Sequence, residues 1–254
     1  MKKISFDLND KVVLVTGGGK GIGKAIALVC AEAGADVALG SRTVSESEQV
    51  AAECRALGRR AEAWPLDVSS LPSIQSFVER ALAAFGRIDV LVNNAGYNRV
   101  KPAFELTEAE FDDISNINFK GVFFTSTIVA KSMIERGVKG SIINISSQTG
   151  HVGGPLRAAY TGTKGAVNQL TRSFAAEWAQ HGITVNGVSP TFTRTPMLEE
   201  ALQNPQFVKN LEKVPLGRPA EPEEIAAAVV YLAGDAARMV TGHTILVDGG
   251  YTAV

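Results

Sequence analysis

Short, nearly unbroken apolar runs alternate along the whole chain with segments whose apolar positions recur every three to four residues. Runs of the first kind are strands buried on both faces, and the second spacing is that of helices with one apolar side. Strands are predicted at about 11–16, 35–41, 61–66, 88–96, 141–147, 183–189 and 243–249. Helices are predicted at about 23–34, 45–57, 71–85, two within 107–136, 158–180 and 221–233. Such repeated strand–helix units predict an α/β, doubly wound parallel sheet with helices on both faces, built as one domain over 1–254. The one long irregular stretch, 190–220, is rich in proline, and its part from 192 to 213 is expected to act as a lid over substrate.

Bulk properties narrow the function without choosing it. The net charge is −1, with lysine and arginine scattered, so no basic stripe calls for nucleic acid or an anionic membrane. The opening MKKISFDLNDK has no apolar stretch behind its lysines, as a secretory signal would, and no run approaches the roughly 18 apolar residues of a membrane span. A cytoplasmic location is expected. Cys30 and Cys54 fall in predicted helices without metal-ligand spacing, and His151, His181 and His243 lie far apart, so no metal site is expected.

Tyr160 and Lys164, with Ser147 upstream, carry the most chemistry. At i and i+4 a phenol and an ammonium share one helical face about 5–6 Å apart. A tyrosine that works near neutrality needs its pKa lowered by about three, or about 4 kcal/mol. One positive charge at 5 Å supplies roughly 3 kcal/mol at an effective dielectric near 20. The same spacing also arises as a plain surface pair, so context has to decide. That context begins directly after the first predicted strand, at Thr16-Gly17-Gly18-Gly19-Lys20-Gly21-Ile22-Gly23. Glycines there let backbone N–H groups and a helix N-terminus approach a pyrophosphate. The second strand ends in Ser41-Arg42 with no carboxylate, which favours NADP over NAD: Arg42, helped by Lys20, can bind a 2′-phosphate that an acid would repel. The competing reading is that Arg42 caps a solvated strand end.

Together these residues make the chain resemble the classical short-chain dehydrogenase/reductases, Rossmann-type enzymes, over nearly its full length. The motifs are Thr16-Gly17-x-x-x-Gly21-Ile22-Gly23, Asp67-Val68, Asn93-Asn94-Ala95-Gly96, Asn118, Ser147, Tyr160-x-x-x-Lys164 and Val247-Asp248-Gly249-Gly250. The resemblance implies that Tyr160 is the general acid or base and that Ser147 binds the reacting oxygen. Lys164 would hold the nicotinamide ribose and lower the tyrosine pKa. Asn118 would hold a relay water through a helix irregularity, although alone it reads equally as a surface amide. Asp67 and Val68 would meet the adenine, and Asn93, Asn94, Ala95 and Gly96 would border the cofactor, Asn94 chiefly fixing the central strands. Pro190, Thr193 and Thr195 would flank the nicotinamide, with Thr191 standing where the family commonly has glycine. A homotetramer is implied as well.

Around the reacting carbon the resemblance places Tyr97, Asn98, Arg99, Thr149, His151, Val152, Leu156, Arg157, Phe192 and Met197. So polar a set suits a sugar, polyol or hydroxy/keto acid better than a steroid, because buried polar groups left unpaired are costly. The alternative is that both arginines point to solvent and His151 caps a turn. A 3-oxoacyl carrier-protein reductase is the competing activity, since Pro215-Leu216-Gly217-Arg218 through Gly250 resembles those enzymes. They often carry an arginine before the glutamate that here follows Ala176. A catalytically silent nucleotide-binding scaffold is the alternative of another class.

Overall fold

The computed structural model describes residues 5–203 and 205–254. Seven strands, β1 (Val12–Thr16), β2 (Asp36–Ser41), β3 (Ala61–Pro65), β4 (Val90–Asn93), β5 (Ser141–Ile145), β6 (Thr184–Pro190) and β7 (Thr244–Val247), form one sheet. Their order is 3-2-1-4-5-6-7, and every pairing is parallel. Among the described residues the helices between them are α1 (Gly21–Glu32), α2 (Val44–Ala56), α3 (Leu71–Phe85), α4 (Glu108–Ser115), α5 (Gly121–Glu135), α6 (Ala158–Trp178), α7 (Pro196–Ala201), α8 (Pro205–Leu211) and α9 (Pro222–Ala233).

Successive side chains of each strand feed two different cores. Val13, Val15, Val37, Leu39, Val90, Val92 and Ile143 pack on the side of α1, α2 and α9, whereas Leu14, Ala38, Leu91 and Ile142 pack on the side of α3, α5 and α6. This two-sided burial is why the strands lack polar alternation. Each fully buried aliphatic side chain contributes about 1.5–3 kcal/mol, so the sheet is the stiff part of the molecule.

Helix ends follow local chemistry. The Ser70 side chain accepts from the Ser73 N–H to start α3, and Gly86 at φ 81° ends it. Thr107 and Glu110 cap α4 reciprocally, a motif whose loss typically costs about 1 kcal/mol. α4 and α5, expected as two separate helices, are joined without a break by a π-helical turn, Asn116–Lys120. The strand expected over 88–96 stops at Asn93, because the residues after it turn away from the ladder to border a cleft. Within the proline-rich stretch, Phe192, Leu198 and Val214 form a small core with Val100, Leu202, Leu211 and Tyr251 around them. Among the described residues no helix is long and apolar enough to cross a membrane, and no cluster of potential metal ligands occurs. Cys30 and Cys54 are both buried free thiols, and burial is the main cause that pushes their pKa values up to about 12 and about 11.

Candidate active site

β1 pairs with β2 on one side and β4 on the other, and the helices after β1 and β4 depart to opposite faces of the sheet. Chain reversal of this kind opens a crevice at the carboxyl ends of the strands. A cleft of about 390 Å³ lies there.

The cradle at its centre is built from the glycine turn. Gly17 has φ +68°, in the left-handed region, and a Cβ on Gly23 would lie 2.2 Å from the Gly17 carbonyl oxygen and 2.5 Å from Asn94 Nδ2. The N-terminus of α1 has no side-chain cap and no acidic residue in its first turn. Its orphan N–H groups therefore face the cleft with a partial positive charge and no side chain between, an arrangement suited to a pyrophosphate. Asn94 Nδ2 donates to the carbonyls of Thr16 and Gly17 at 3.0 Å each, and Thr16 Oγ1 accepts from the N–H groups of Asn94 and Ala95 at 3.0 Å. One asparagine thus fixes the turn to both central strands. Gly17, Lys20, Gly21, Ile22, Gly23, Asn94, Ala95 and Gly96 all line the cleft.

At one end stand Ser41, Arg42, Asp67 and Val68. Arg42 is exposed, while Ser41 Oγ donates to the Thr43 carbonyl at 2.9 Å and shares a 2.6 Å hydrogen bond with Ser47 Oγ. Asp67 accepts from the hydroxyl and N–H of Ser69, and the hydroxyl bond is the main cause that holds its carboxyl below the usual range. Glu46 lines the same end, 3.8 Å from Lys20 Nζ. Sequence reasoning missed Glu46 because a glutamate in a first helical turn is ordinary there. An exposed pair of this kind is worth about 0–1 kcal/mol, so it leaves Lys20 available to an anion.

The other end holds Ser147, Tyr160 and Lys164. Ser147 follows β5 and accepts from the Thr149 hydroxyl at 3.0 Å and the Thr149 N–H at 3.2 Å. Tyr160 lies on the first turns of α6, with its phenol near enough to the Ser147 hydroxyl to be influenced by it. Lys164, one turn further, is buried, with Nζ 5.6 Å from the Tyr160 ring centroid and donating to the Ile145 carbonyl at 2.7 Å. Burial pushes the Tyr160 phenol above its ordinary pKa, against the Ser147 hydroxyl and the Arg157 guanidinium, which pull it down. Burial also brings the Lys164 ammonium down to about 8. The lowering expected from the Tyr160–Lys164 spacing is therefore reversed: desolvation of the phenol outweighs what Ser147 and Arg157 supply.

Asn118 sits in the π-helical turn but does not line the cleft. Its Oδ1 accepts from the Tyr97 N–H at 2.8 Å, and its Nδ2 donates to the Tyr97 carbonyl at 2.8 Å and to Thr163 Oγ1 at 3.2 Å. The side chain thus ties the loop after β4 and α6 to the helix irregularity.

Of the residues expected around substrate, Tyr97, Asn98, Arg157 and Phe192 line the cleft; Arg99, Thr149, His151, Val152 and Leu156 do not. Arg99 stands 3.5 Å from Glu110, with its guanidinium 5.8 Å from the Tyr97 ring centroid. Thr149 lies behind Ser147 as its donor. His151 Nε2 accepts from Asn168 Nδ2 at 3.1 Å and is 3.0 Å from Ser189 Oγ, tying α6 to β6, and burial lowers its pKa. The Met197 side chain lies outside the described residues. Pro190, Thr193 and Thr195 line the cleft as expected, with Thr195 against Gly21. Thr191 does too, and its buried Oγ1 has no hydrogen-bond partner in the protein; the same is true of Asn98 Oδ1.

A family model described as enoyl-(acyl carrier protein) reductase matches residues 17–252. The chain is 39% identical over 250 residues to 2-dehydro-3-deoxy-D-gluconate 5-dehydrogenase of Dickeya dadantii, covering 98% of each. The chain belongs to the short-chain dehydrogenase/reductase family. As such it is an oxidoreductase acting on CH–OH groups. Another relative in this family is the 3-oxoacyl-[acyl-carrier-protein] reductase of Thermotoga maritima, 38% identical over 243 residues, 96% of this chain and 98% of that one. A solved structure from Beutenbergia cavernae superposes with a TM-score of 0.93 at 36% identity, covering 98% of this chain and 99% of that one. It is provisionally named an NAD(P)-dependent gluconate 5-dehydrogenase and holds NADP at low occupancy.

Proposed function

We propose that this short-chain dehydrogenase/reductase interconverts a secondary alcohol and a ketone on a sugar, polyol or hydroxy/keto acid, using NADP(H). The observation that carries the reading is the convergence of Ser147, Tyr160 and Lys164 at one end of the cleft whose middle is the uncapped N-terminus of α1. When bound, the nicotinamide supplies or accepts the hydride.

In the reducing direction Tyr160 gives its phenolic proton to the ketone oxygen, and Ser147 donates a hydrogen bond to that oxygen while its own position is held by Thr149. In oxidation Tyr160 takes the proton back. Lys164 adds positive charge beside the phenol and meets the ribose, and Asn118 keeps the loop bearing Tyr97 in place. Gly17, Gly21, Ile22 and Gly23 would hold the pyrophosphate, Asp67 and Val68 the adenine, and Thr193 and Thr195 the nicotinamide side. Residues 192–213 serve as the lid that excludes water.

NADP is favoured by Arg42 at the adenosine end and by the lack of an acid at positions 41–43. Glu46 beside Lys20 opposes this, but it already has a cationic neighbour. Steady-state kinetics of Arg42→Ala with NADPH and NADH test the assignment. The expected result is a KM for NADPH raised about 10- to 100-fold, the worth of a charge-assisted bond, with NADH little changed. Equal losses for both would remove the phosphate contact.

The carrier-protein reductase reading draws on the Thermotoga maritima relative. Against it, position 176, just before Glu177 on the exposed side of α6, is an alanine where such enzymes often carry an arginine. The buried, unpartnered oxygens of Asn98 and Thr191 suit a hydroxylated small molecule, whose O–H groups donate to them.

A further inference from the structure

We infer that Arg157 anchors a carboxylate on the substrate, so that the alcohol handled by this cleft is a hydroxy acid rather than a neutral polyol. The inference rests on the oxidoreductase reading above and narrows its substrate.

Arg157 is only 7% exposed, which is unusual for an arginine, and it lines the cleft with Asn98, Ser147, Tyr160 and Phe192. Its guanidinium lies 5.9 Å from the Phe192 ring centroid. A guanidinium held in place there has five N–H donors, enough to meet a substrate as well as the protein. The backbone supplies a second sign. Leu156, immediately before it, has φ +63°, the left-handed region that a branched non-glycine residue rarely adopts. The Lys101 N–H donates to the Leu156 carbonyl at 2.9 Å and helps hold that conformation. α6 begins at Ala158, so the strained residue sets Arg157 one turn before Tyr160 on the same helical side. Strain kept at such a point is a mark of a functional site.

Charge distribution agrees. Among the described residues the carboxylates that line the cleft, Glu46 and Asp67, stand at the adenosine end. Among the described residues the reacting end carries Arg157 and Lys164 and no acidic lining residue, so it attracts an anion. A guanidinium matches a carboxylate with two parallel hydrogen bonds, which fix orientation as well as affinity. A carbonyl held by Tyr160 and Ser147 then leaves a carboxylate a few bonds away facing Arg157. Arg99, the other arginine of this region, is half-exposed and stands beside Glu110.

The test uses D-gluconate and D-glucitol, which share a polyhydroxylated chain and differ in a carboxylate against a hydroxymethyl group. Each is titrated calorimetrically into the NADP-loaded wild type, Arg157→Met and Arg157→Lys, with thermal melting and NADP affinity confirming that the variants are folded. The expected result is tighter binding of gluconate than of glucitol to the wild type. Arg157→Met should weaken gluconate roughly 10- to 100-fold, as for a lost charged hydrogen bond, and leave glucitol unchanged. Arg157→Lys, which keeps the charge but not the fork, should recover part of the loss. The inference is overturned if the wild type does not prefer the anion, or if Arg157→Met weakens both compounds alike. Turnover by Tyr160→Phe judges the oxidoreductase reading separately: lost turnover with no charge-selective effect at Arg157 removes the anchor alone, and retained turnover with an acid-selective Arg157→Met effect removes the catalytic role of Tyr160 alone.

Discussion

Tyr160→Phe is expected to lower kcat for NADPH-dependent ketone reduction by about 10²- to 10⁴-fold, the range for loss of a positioned acid, while the dissociation constant for NADPH changes less than about threefold, since no cofactor-binding charge is removed. The ring stays and keeps its place on α6; only the phenolic hydroxyl, with its proton, goes. The pH dependence gives a second readout. Burial raises the phenol's pKa, so the proton-bearing form persists through neutrality, and reduction should be flat from mildly acidic to neutral pH and decline only in the alkaline range. Oxidation needs the phenolate and should climb with pH. Lys164, brought down to about 8 by burial, loses its charge near there, which removes part of the support for the phenolate and flattens the climb. A scaffold without activity would show background rates in wild type and variant alike.

Gly23→Ala is the second large effect. The new methyl would sit 2.2 Å from a backbone carbonyl oxygen and 2.5 Å from the side-chain amide of Asn94, which two hydrogen bonds to the turn hold in place. Overpacking of that kind costs about 1–3 kcal/mol, so a melting temperature lower by roughly 3–10 °C is expected for a chain of this size. The larger consequence falls on the cofactor. Relief of the clash requires the turn to move off α1 or Asn94 to release it, and either change spoils the alignment of the N–H groups. Fluorescence titration should show NADPH binding weakened by about 100-fold, the loss of one or two charge-assisted hydrogen bonds. Unchanged affinity and melting would mean that the turn is not the phosphate cradle.

Much of the fold was legible because both of its signals are periodic. Strands buried on two faces read as runs such as Val12 to Val15, and the glycine turn sits where a strand must hand over to a helix. The site was legible where function rests on residue type at fixed spacing, as with Tyr160 and Lys164. It was not legible where three-dimensional placement decides. Arg99 and Arg157 look alike in the sequence, yet one is half-exposed beside Glu110 and the other is buried in the cleft. His151 and Thr149 are chemically fit for a substrate pocket but are turned to Ser189, Asn168 and Ser147. Glu46 could be found only by folding α2 back over the glycine turn. The balance of burial against charge at Tyr160 likewise depends on packing that no spacing encodes.

The most direct measurement is the fate of a label during ketone reduction. NADPH deuterated at either face of nicotinamide C4 is supplied with a keto acid, and the product is read by mass spectrometry. Transfer of deuterium from one face only to the new carbinol carbon, lost in Tyr160→Phe, is the result this account requires. Product lacking the label from both faces, or equal transfer by the variant, would contradict it.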